Sequence, residues 1–380
     1  MKQGWKYKPF GEVFTIKMGK TPPRGDKSCW DTKKESENKW VSISDISQNE
    51  GKVIFDTKEY ITDAATEKIF RVKANSLLMS FKLTIGKMAF AGTDLYTNEA
   101  IIAIPENKEY NLKFLYFYLS SYNWSSLTDG NEKIKGKTLN KESIGRIKLP
   151  IIPLSDQQRI VSYLDAEFAK IEALKANAEK QLQAAKDLFQ AALKELLTPK
   201  DGWMEKKLVE VCKEIFSGGD APKENMSKEP TIDFGIPIYA NAAEFDGLYG
   251  YTNYYRVNEP SVTIAARGSG TGLVIKRKGA YLPIVRLIVV IPNTFISVDY
   301  LYFALQTIRI KSNGTAIPQL TVPVVKQYRI CYPPNITEQQ RIADRLDALS
   351  ANLKALQTNY TETITLCNDL KQALLKKVFG

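Results

Sequence analysis

Glycine-rich turns that carry lysine or arginine are the clearest candidates for chemistry in this sequence. Three of them occur early in the chain: MGKTPPRGDK (residues 18–27), FKLTIGK (81–87) and NEKIKGK (131–137). Glycine lets a backbone approach a phosphate closely, lysine supplies positive charge, and arginine can donate two parallel hydrogen bonds. The pattern predicts nucleic-acid contact through six side chains, namely Lys20, Arg24, Lys82, Lys87, Lys135 and Lys137.

Similar turns return in the second half of the chain: ARGSGTG (residues 266–272), IKRKG (275–279) and IRIKSNG (308–314). FKLTIGK and ARGSGTG occupy equivalent places in an internal repeat described below. A single basic turn is also typical of ordinary solvated surface, and GSGTG lacks the Lys-Ser/Thr ending of a phosphate-binding P-loop. The candidate contacts here are Arg256, Arg267, Lys276, Arg277, Lys278 and Lys311.

Several kinds of catalytic chemistry are missing from the sequence. It contains no histidine, which excludes histidine-dependent base catalysis, histidine–metal sites and Ser-His-Asp triads. We find no amino-methyltransferase tetrapeptide, no Walker A motif, no glycine-rich dinucleotide motif and no convincing nuclease spacing. The sequence therefore predicts a non-catalytic protein with no metal site and no cofactor of its own.

The charge is distributed unevenly. The chain has 53 basic and 42 acidic residues, a net charge of +11. Two long helical segments, residues 155–197 and 337–379, together contain twelve basic and twelve acidic residues, so the whole excess lies on the globular parts. Basic globular domains on neutral helices favour a polyanionic partner, most simply nucleic acid. A generally basic surface without such a partner is the alternative.

Cysteine usage and hydropathy indicate the compartment. Four scattered cysteines without paired spacing favour a reducing environment over a disulfide framework. The start, MKQGWKYKPF, lacks the apolar core of a secretory signal, and the most apolar run, residues 282–291, is too short to span a membrane. We expect a cytoplasmic protein without membrane contact, in which residues 282–291 form a buried strand.

An internal repeat organises the chain. LSDQQRIVSYLD (residues 154–165) returns as ITEQQRIADRLD (336–347), and each copy opens a long helical pattern. Ser155 and Thr337 have the spacing of N-cap residues, each followed three positions later by a glutamine, which predicts two capping boxes. Two copies of one large module, each a globular domain followed by a long helix, account for this arrangement better than short repeats do.

Both helical patterns carry heptad seams, in which apolar residues alternate in steps of three and four and predict helix pairing. Lys175 interrupts the first seam, and no proline interrupts either helix. The seam residues that we expect to hold the pair together are Leu164, Phe168, Ile171, Leu182 and Phe189 in the first helix, and Leu346, Leu349, Leu353, Leu356, Leu370 and Leu374 in the second.

Connectivity predicts the domain order: a first globular domain (residues 1–153), a first helix (154–198), a second globular domain (199–335) and a second helix (336–380). The short link after the first helix implies antiparallel pairing, with a pseudo-two-fold relation between two domains at opposite ends. The fold class is mixed, α+β, with two similar α/β domains joined by an antiparallel coiled coil.

Short elements are also expected in the globular domains. The apolar runs 101–105 and 285–292 are strand candidates that end at proline. The related segments LYFYL and LYFAL lie in patterns that predict short helices over residues 112–120 and 298–307.

These motifs together resemble one known family. The paired LSDQQRIVSYLD and ITEQQRIADRLD helices are similar to the repeated regions of type I restriction-modification specificity subunits. MGKTPP, LMSFKLTIGKMAF (residues 78–90) and YTNEAI (96–101) resemble that family's target recognition domains. GIPIYANA (235–242) and ARGSGTG resemble a different subclass of the same domain, and the resemblance covers essentially the whole chain.

The resemblance implies a division of labour. Each target recognition domain would read one half of a split, asymmetric site in double-stranded DNA, and the helices would act as a spacer. The expected partners are two methyltransferase subunits and the restriction (translocase and nuclease) subunits. S-adenosylmethionine, ATP and magnesium would be bound by these partners, with none on this chain. Exposed helix faces and the hairpin ends would dock the partners.

Two other functions are open on the sequence alone. The first is a self-contained restriction or methylation enzyme, against which the missing catalytic motifs argue. The second is a coiled-coil adaptor that binds proteins only and has no affinity for DNA. Salt-dependent binding to duplex DNA separates the adaptor from a DNA-reading protein, because phosphate contacts give binding a steep negative dependence on salt.

Overall fold

The chain folds into two units, each made of one globular domain and segments of both long helices. A computed structural model describes residues 4–67, 69–124, 139–241, 244–267, 270–308 and 320–380. The first unit comprises Met1–Asn177 with Thr363–Gly380, and the second comprises Ala178–Glu362. Within the described ranges, no helix is long and apolar enough to cross a membrane.

In its described residues, the first globular domain contains ten short strands and five short α-helices. Its strands are β1 (Lys6–Pro9), β2 (Lys17–Met18), β3 (Lys39–Val41), β4 (Val53–Ile54), β5 (Glu59–Tyr60), β6 (Leu77–Ser80), β7 (Met88–Ala91), β8 (Tyr96–Thr97), β9 (Ile101–Ile104) and β10 (Lys148–Ile151). Its helices are α1 (Phe10–Val13), α2 (Ile43–Gln48), α3 (Asp63–Thr66), α4 (Leu112–Ser120) and α5 (Lys141–Gly145), and the chain continues into the long α6 (Leu154–Leu197).

The second globular domain also has ten strands in the described residues. They are β11 (Met204–Lys207), β12 (Cys212–Ser217), β13 (Met226–Ser227), β14 (Ile236–Tyr239), β15 (Leu248–Thr252), β16 (Ser261–Ile264), β17 (Val274–Arg277), β18 (Leu282–Pro283), β19 (Ile288–Pro292) and β20 (Arg329–Tyr332). The helices are α7 (Leu208–Val211), α8 (Val298–Thr307), α9 (Val322–Lys326) and the long α10 (Ile336–Phe379).

The sheets of the two domains follow one plan. The main sheet has the order β2-β9-β6-β7-β4 in the first domain and β12-β19-β16-β17 in the second. A smaller sheet has the order β5-β3-β8 in the first and β13-β15-β14-β18 in the second, and its last pair is parallel in both. In each domain an antiparallel pair, β1–β10 or β11–β20, joins the two ends of the domain. The predicted duplication and mixed α+β class are confirmed.

The short helices pack as the repeat predicts. Helices α4 and α8 begin and end at the residues expected from sequence. Phe114 on α4 and Tyr300 on α8 occupy matching positions in the repeat, and each lies against the tryptophan of a Gly-Trp pair. The ring centroids are 6.4 Å apart for Trp5 and Phe114 and 6.3 Å apart for Trp203 and Tyr300. The recurring Gly-Trp pair therefore marks a core contact that both domains use.

The capping predictions for the long helices are wrong by two residues each. Helix α6 starts at Leu154, and the carbonyl of Pro153 accepts hydrogen bonds from the first turn, so Ser155 already lies inside the helix. Helix α10 starts at Ile336, and the Asn335 side chain accepts from the backbone N–H of Thr337. Proline and asparagine thus take the cap position in place of the serine and threonine.

The first glutamine of each QQR motif is a buried clamp. The Gln157 carboxamide accepts from the backbone N–H of Asn111, the N-cap of α4, at 2.8 Å, and donates to the Glu109 and Ile152 carbonyls. Gln339 repeats this arrangement: it accepts from the Ser297 N–H at 2.8 Å and donates to the carbonyls of Phe295 and Pro333. Each clamp fixes the start of a long helix to a short helix of its own globular domain.

The long helices pair antiparallel within each unit. In the first unit the Lys371 ammonium pairs with the Glu172 carboxylate, while Phe379, near the end of α10, packs in the core that holds Leu164. In the second unit the Tyr360 hydroxyl donates to Gln181 at 2.5 Å, and one core cluster contains both Leu196 and Leu346. In both cases later residues of α10 face earlier residues of α6, as the sequence predicted.

Two predicted seam positions in α10 are wrong. Leu356 and Leu370 are exposed, whereas Gln357 and Lys371 next to them are partly buried. Gln357 and Lys371 therefore take the seam positions, because the alternation of three- and four-residue steps in α10 is shifted by one residue at these two points. The remaining predicted seam residues on both helices are buried or partly buried.

The apolar run 282–291 is interrupted and does not form one strand. Leu282–Pro283 is β18 and Ile288–Pro292 is β19, while Val285 and Arg286 form a turn with positive φ angles of 47° and 62°. The predicted strand 285–292 therefore begins three residues late. Hydropathy alone did not reveal the turn, because a turn built from Val and Arg has no glycine or asparagine to mark it.

The clamp predicts a sharp difference between neighbouring glutamines. Gln339→Ala should lower the free energy of unfolding of the second unit by about 3 kcal/mol, because it leaves a buried N–H and two carbonyls without partners. Gln340→Ala, at the position predicted to complete the capping box, should cost less, since the Gln340 side chain is only partly buried. Urea unfolding of the full-length variants measures both effects, and equal losses would contradict the clamp.

Candidate nucleic-acid interface

The first basic turn of the first domain is held against the β8–β9 turn. The backbone N–H of Lys20 donates to the Thr97 carbonyl at 2.8 Å, and the Thr21 hydroxyl donates to the Glu99 carboxylate. A Cβ at Gly19 would lie 2.0 Å from the Thr97 carbonyl oxygen, so only glycine fits there. The glycine serves close packing between two turns, which leaves the exposed Lys20 side chain on a fixed backbone.

Arg24 is positioned by aromatic rings. Its guanidinium lies 4.1 Å from the Trp30 ring centroid and 4.8 Å from that of Trp40, and both of its terminal nitrogens donate to the Glu59 carboxylate. The two indole N–H groups donate to backbone carbonyls of the same basic turn. Arg24 is half-exposed, and its stacked geometry presents a preorganised cation at the surface.

A basic cleft opens beside Arg24. Its volume is about 660 Å³, and it is lined by Arg24, Lys27, Trp30, Asp31, Thr32, Lys34, Lys58, Glu59 and Tyr60. Four cations and two aromatic rings outnumber the two carboxylates along its wall. This combination suits a negatively charged phosphate backbone.

The second basic turn, residues 81–87, connects β6 to β7. The Leu139 N–H donates to the Phe81 carbonyl at 3.0 Å, and this hydrogen bond ties the start of the turn to Leu139. Lys87 pairs with Glu50 and is therefore partly neutralised. The pKa of the Glu99 carboxyl is lowered by the hydrogen bond from Thr21 and, to a smaller extent, by the charges of Lys82 and Arg24. Glu99 is thus an ionised acceptor among cations.

The equivalent turn of the second domain is clamped by Asn241. The Asn241 side chain accepts from the backbone N–H groups of Ala266 and Arg267 and donates to the Arg267 carbonyl at 2.5 Å. The Leu320 N–H donates to the Ala266 carbonyl at 2.9 Å, which matches the Leu139–Phe81 bond of the first domain. Both the N–H and the carbonyl of Arg267 are therefore held by hydrogen bonds, and its exposed side chain projects from a fixed backbone.

Two predicted contact residues serve the core instead. The Lys276 ammonium lies 2.6 Å from Asp299 and 3.1 Å from Asp347, which joins β17 to α8 and α10. Arg277 is buried: its guanidinium stacks 3.6 Å from the Tyr239 ring centroid and donates to Thr263. Burial lowers the pKa of Arg277, as expected for a cation removed from water. The prediction of a DNA contact is therefore wrong for Arg277, which is buried, while the partly buried Lys276 is held by two carboxylates and is assigned to the core.

The alternation of the strand explains this correction. Successive side chains of β17 point to opposite faces, and both faces of this strand are covered. Lys278, one residue past the strand, is exposed. Arg256 is also exposed, with its guanidinium 4.1 Å from the Phe216 ring centroid, and it remains a candidate. Lys135, Lys137 and Lys311 lie outside the described residues.

Sequence reasoning missed Glu99 and Asn241. Both follow a strand of the smaller sheet and hold a basic turn in place, although neither is basic. The signal was present in YTNEAI and GIPIYANA, where a polar residue interrupts an apolar segment just after a strand. Among the described residues, no group of three cysteine, aspartate or glutamate side chains could hold a metal ion.

One family model matches the chain twice. The family model of the type I restriction modification DNA specificity domain matches residues 2–184 and, a second time, residues 200–366. The chain belongs to this family. Specificity subunits recognise the DNA target of type I restriction-modification systems as non-catalytic components, and they assemble with methyltransferase and restriction subunits. The protein-only adaptor is not supported.

Individual relatives agree with the family assignment. The chain is 31% identical over 274 residues to a protein of Mycoplasma pneumoniae named as a type I specificity subunit, which covers 68% of this chain and 72% of that protein. A second such protein of the same organism is 30% identical over 283 residues, 69% of this chain and 82% of the relative. The EcoBI specificity subunit of Escherichia coli is 23% identical over 322 residues, 73% of this chain and 67% of that protein.

Solved structures share the fold. A chain from a study of complex assembly and conformational transition of the type I R-M system aligns with a TM-score of 0.79 at 19% identity, covering 100% of this chain and 98% of the other. The HsdS subunit from Thermoanaerobacter tengcongensis aligns with a TM-score of 0.57 at 19% identity, covering 100% and 97%.

The different surroundings of Lys276 and Lys278 predict different effects on stability. Lys276→Met should destabilise the second unit by about 2 kcal/mol, because two partly buried carboxylates lose their counter-ion. Lys278→Met, an exposed neighbour of the same type, should change stability by less than about 0.5 kcal/mol. Thermal unfolding of the two full-length variants compares them directly, and an equally large effect at Lys278 would refute the assigned roles.

Proposed function

We propose that each globular domain reads one half of a bipartite, asymmetric DNA site. The observation that carries this proposal is the shared strand order with different residues on equivalent turns. FKLTIGK and ARGSGTG both connect two neighbouring antiparallel strands of a main sheet, and both are tied by the same backbone hydrogen bond. A common frame that presents different side chains suits two half-sites of different sequence.

The proposed contacts fall into two groups. In the first domain Lys20, Arg24 and Lys82 surround the turn that carries Glu99. In the second domain Arg256, Arg267 and Lys278 are exposed. Flexible lysines suit phosphates, whereas an arginine on a fixed backbone can donate to both acceptors of a guanine edge. We therefore assign Lys20 to a phosphate contact and Arg267 to base recognition.

The partners supply the chemistry. We propose that the chain binds two methyltransferase subunits, which carry S-adenosylmethionine, and restriction subunits, which carry ATP and magnesium. A base that is methylated within a duplex must be flipped out of the stack, and that step would take place in the methyltransferase. The role of this chain is to select the sequence and hold the subunits there.

Exposed leucines on the long helices are the proposed methyltransferase docking surface. Leu174 and Leu188 on α6 are 57% and 68% exposed, and Leu356 and Leu370 on α10 are 38% and 47% exposed. The two pairs occupy equivalent positions in the repeat, and the residues of each pair are two heptads apart. Equivalent apolar positions on two helices suit two copies of the same partner.

The DNA-reading proposal predicts different losses for the two groups of contacts. Arg267→Ala should cost about 1–3 kcal/mol of binding free energy and relax specificity at one position of one half-site. Lys20→Ala should weaken binding to all sequences alike and reduce the salt dependence by about one phosphate contact. Titrations of duplex DNA at several salt concentrations, with the full chain and its methyltransferase partner, measure both quantities.

The matched control for these titrations is Lys326→Ala, which removes a cation from α9 of the second domain. It should leave sequence preference unchanged. Salt-independent binding of the wild-type complex, or the same change of preference in both half-sites for Arg267→Ala, would contradict the proposal.

The docking proposal predicts a change in stoichiometry. The double variant Leu174→Asp, Leu188→Asp should lose one of two methyltransferase copies, because charged side chains would have to be desolvated at an apolar contact. Ala176→Asp introduces the same charge at another exposed position of α6 and should retain both copies. Native mass spectrometry of the assembled complexes counts the subunits. Two retained copies in the leucine variant would rule out this surface.

A further inference from the structure

The turn between β18 and β19 has an unusual backbone. The Leu287 N–H donates to the Ile284 carbonyl at 3.2 Å, which closes a four-residue turn whose central residues, Val285 and Arg286, both have positive φ. Such turns favour asparagine and glycine, and a β-branched residue with positive φ is a clear outlier. Strain of this kind persists only where the surroundings enforce it, and it often marks a functional segment.

The surrounding backbone enforces this conformation. The Val285 N–H donates to the Gly219 carbonyl at 2.7 Å, and the Gly218 N–H donates to the Leu287 carbonyl at 2.8 Å. The Ile284 N–H donates to the carbonyl of Tyr239, at the end of β14, at 2.9 Å. A Cβ at Gly218 would lie 2.7 Å from the Pro283 backbone, so the two segments are in direct contact.

The side chains of the turn take no part in this framework. Both Val285 and Arg286 are exposed, and in the described part of the chain no hydrogen bond or ion pair holds the Arg286 guanidinium. A rigid turn that presents an unengaged arginine is what bidentate recognition of a base or phosphate requires.

The turn also shares its anchor with Arg267. Residues 239–241, at the end of β14 and just beyond it, bind the Arg286 turn through the Tyr239 carbonyl and the Arg267 turn through the Asn241 side chain. Two exposed arginines therefore project from turns that one short segment fixes in place.

The first domain carries the opposite charge at the matching place. Its turn between β8 and β9 contains Glu99, which lies next to the first basic turn through the bond from Thr21, just as the Arg286 turn lies next to Gly218–Gly219. A phosphate-binding position would keep a positive charge in both domains. A position that reads bases can change sign, because carboxylates accept from cytosine and arginine donates to guanine.

We propose that Arg286 reads a guanine in the half-site recognised by the second domain, and that the strained turn serves to present it. This inference rests on the proposed DNA-reading function and adds a residue that basic-turn patterns did not identify.

The test is a binding selection with the full chain and its methyltransferase partner on a randomised duplex library. Arg286→Ala should lose a guanine preference of about 5- to 150-fold at one base pair, while preferences in the other half-site stay unchanged. Arg286→Lys should retain only part of it, because lysine lacks the two-pronged geometry. Lys326→Ala, which removes a cation of the second domain outside the proposed contacts, is the control and should keep the complete preference.

A second variant separates base reading from folding. Val285→Asn combined with Arg286→Gly installs a favoured turn sequence, so the thermal unfolding midpoint should rise while the guanine preference is lost. Equal weakening on all sequences would assign Arg286 to a phosphate and overturn the inference, as would an unchanged preference. A wild-type complex without any sequence preference would instead overturn the proposed function itself.

Discussion

The attachment of each globular domain to its own helix start depends on one buried glutamine. Gln157 and Gln339 each bond the N-cap N–H of a short helix (α4 or α8), one carbonyl just before that short helix and one carbonyl just before α6 or α10. An amide side chain can do this because it accepts and donates at once. Buried polar contacts of this kind are costly to leave unsatisfied, so they specify one orientation. The basic turns are therefore fixed relative to the helix segment of their own unit.

The same frame supports two chemically different surfaces. Strand order, the Gly-Trp contact and the bond that ties Leu139 or Leu320 to the hairpin turn recur in both domains. The residues on the turns differ: lysines with a carboxylate in the first, arginines with a carboxamide in the second. A shared frame with different turns suits the proposed recognition of two different half-sites, since specificity comes from base-edge contacts and not from the scaffold.

Much of the fold was accessible from sequence. The duplication, the short helices α4 and α8, the antiparallel helix pairing and most of both seams follow from spacing and periodicity. Errors arose where long-range contacts override local pattern. The strain at Val285 is held by a distant glycine pair, and Leu356 and Leu370 leave the seam because adjacent positions compete for it.

The candidate site was harder to predict. A basic residue in a turn gives no indication of its partner, so Lys276, which neutralises two carboxylates, could not be separated from exposed Lys278. Positioning residues such as Asn241 are invisible to a search for charge, because their contribution depends on backbone atoms brought close by the fold.

The most direct test of the account is a genome-wide map of methylated adenine in a host that expresses this chain with its methyltransferase partner. The account predicts one bipartite motif with two dissimilar halves separated by unread bases. A single uninterrupted motif, two identical halves or methylation without sequence preference would contradict it.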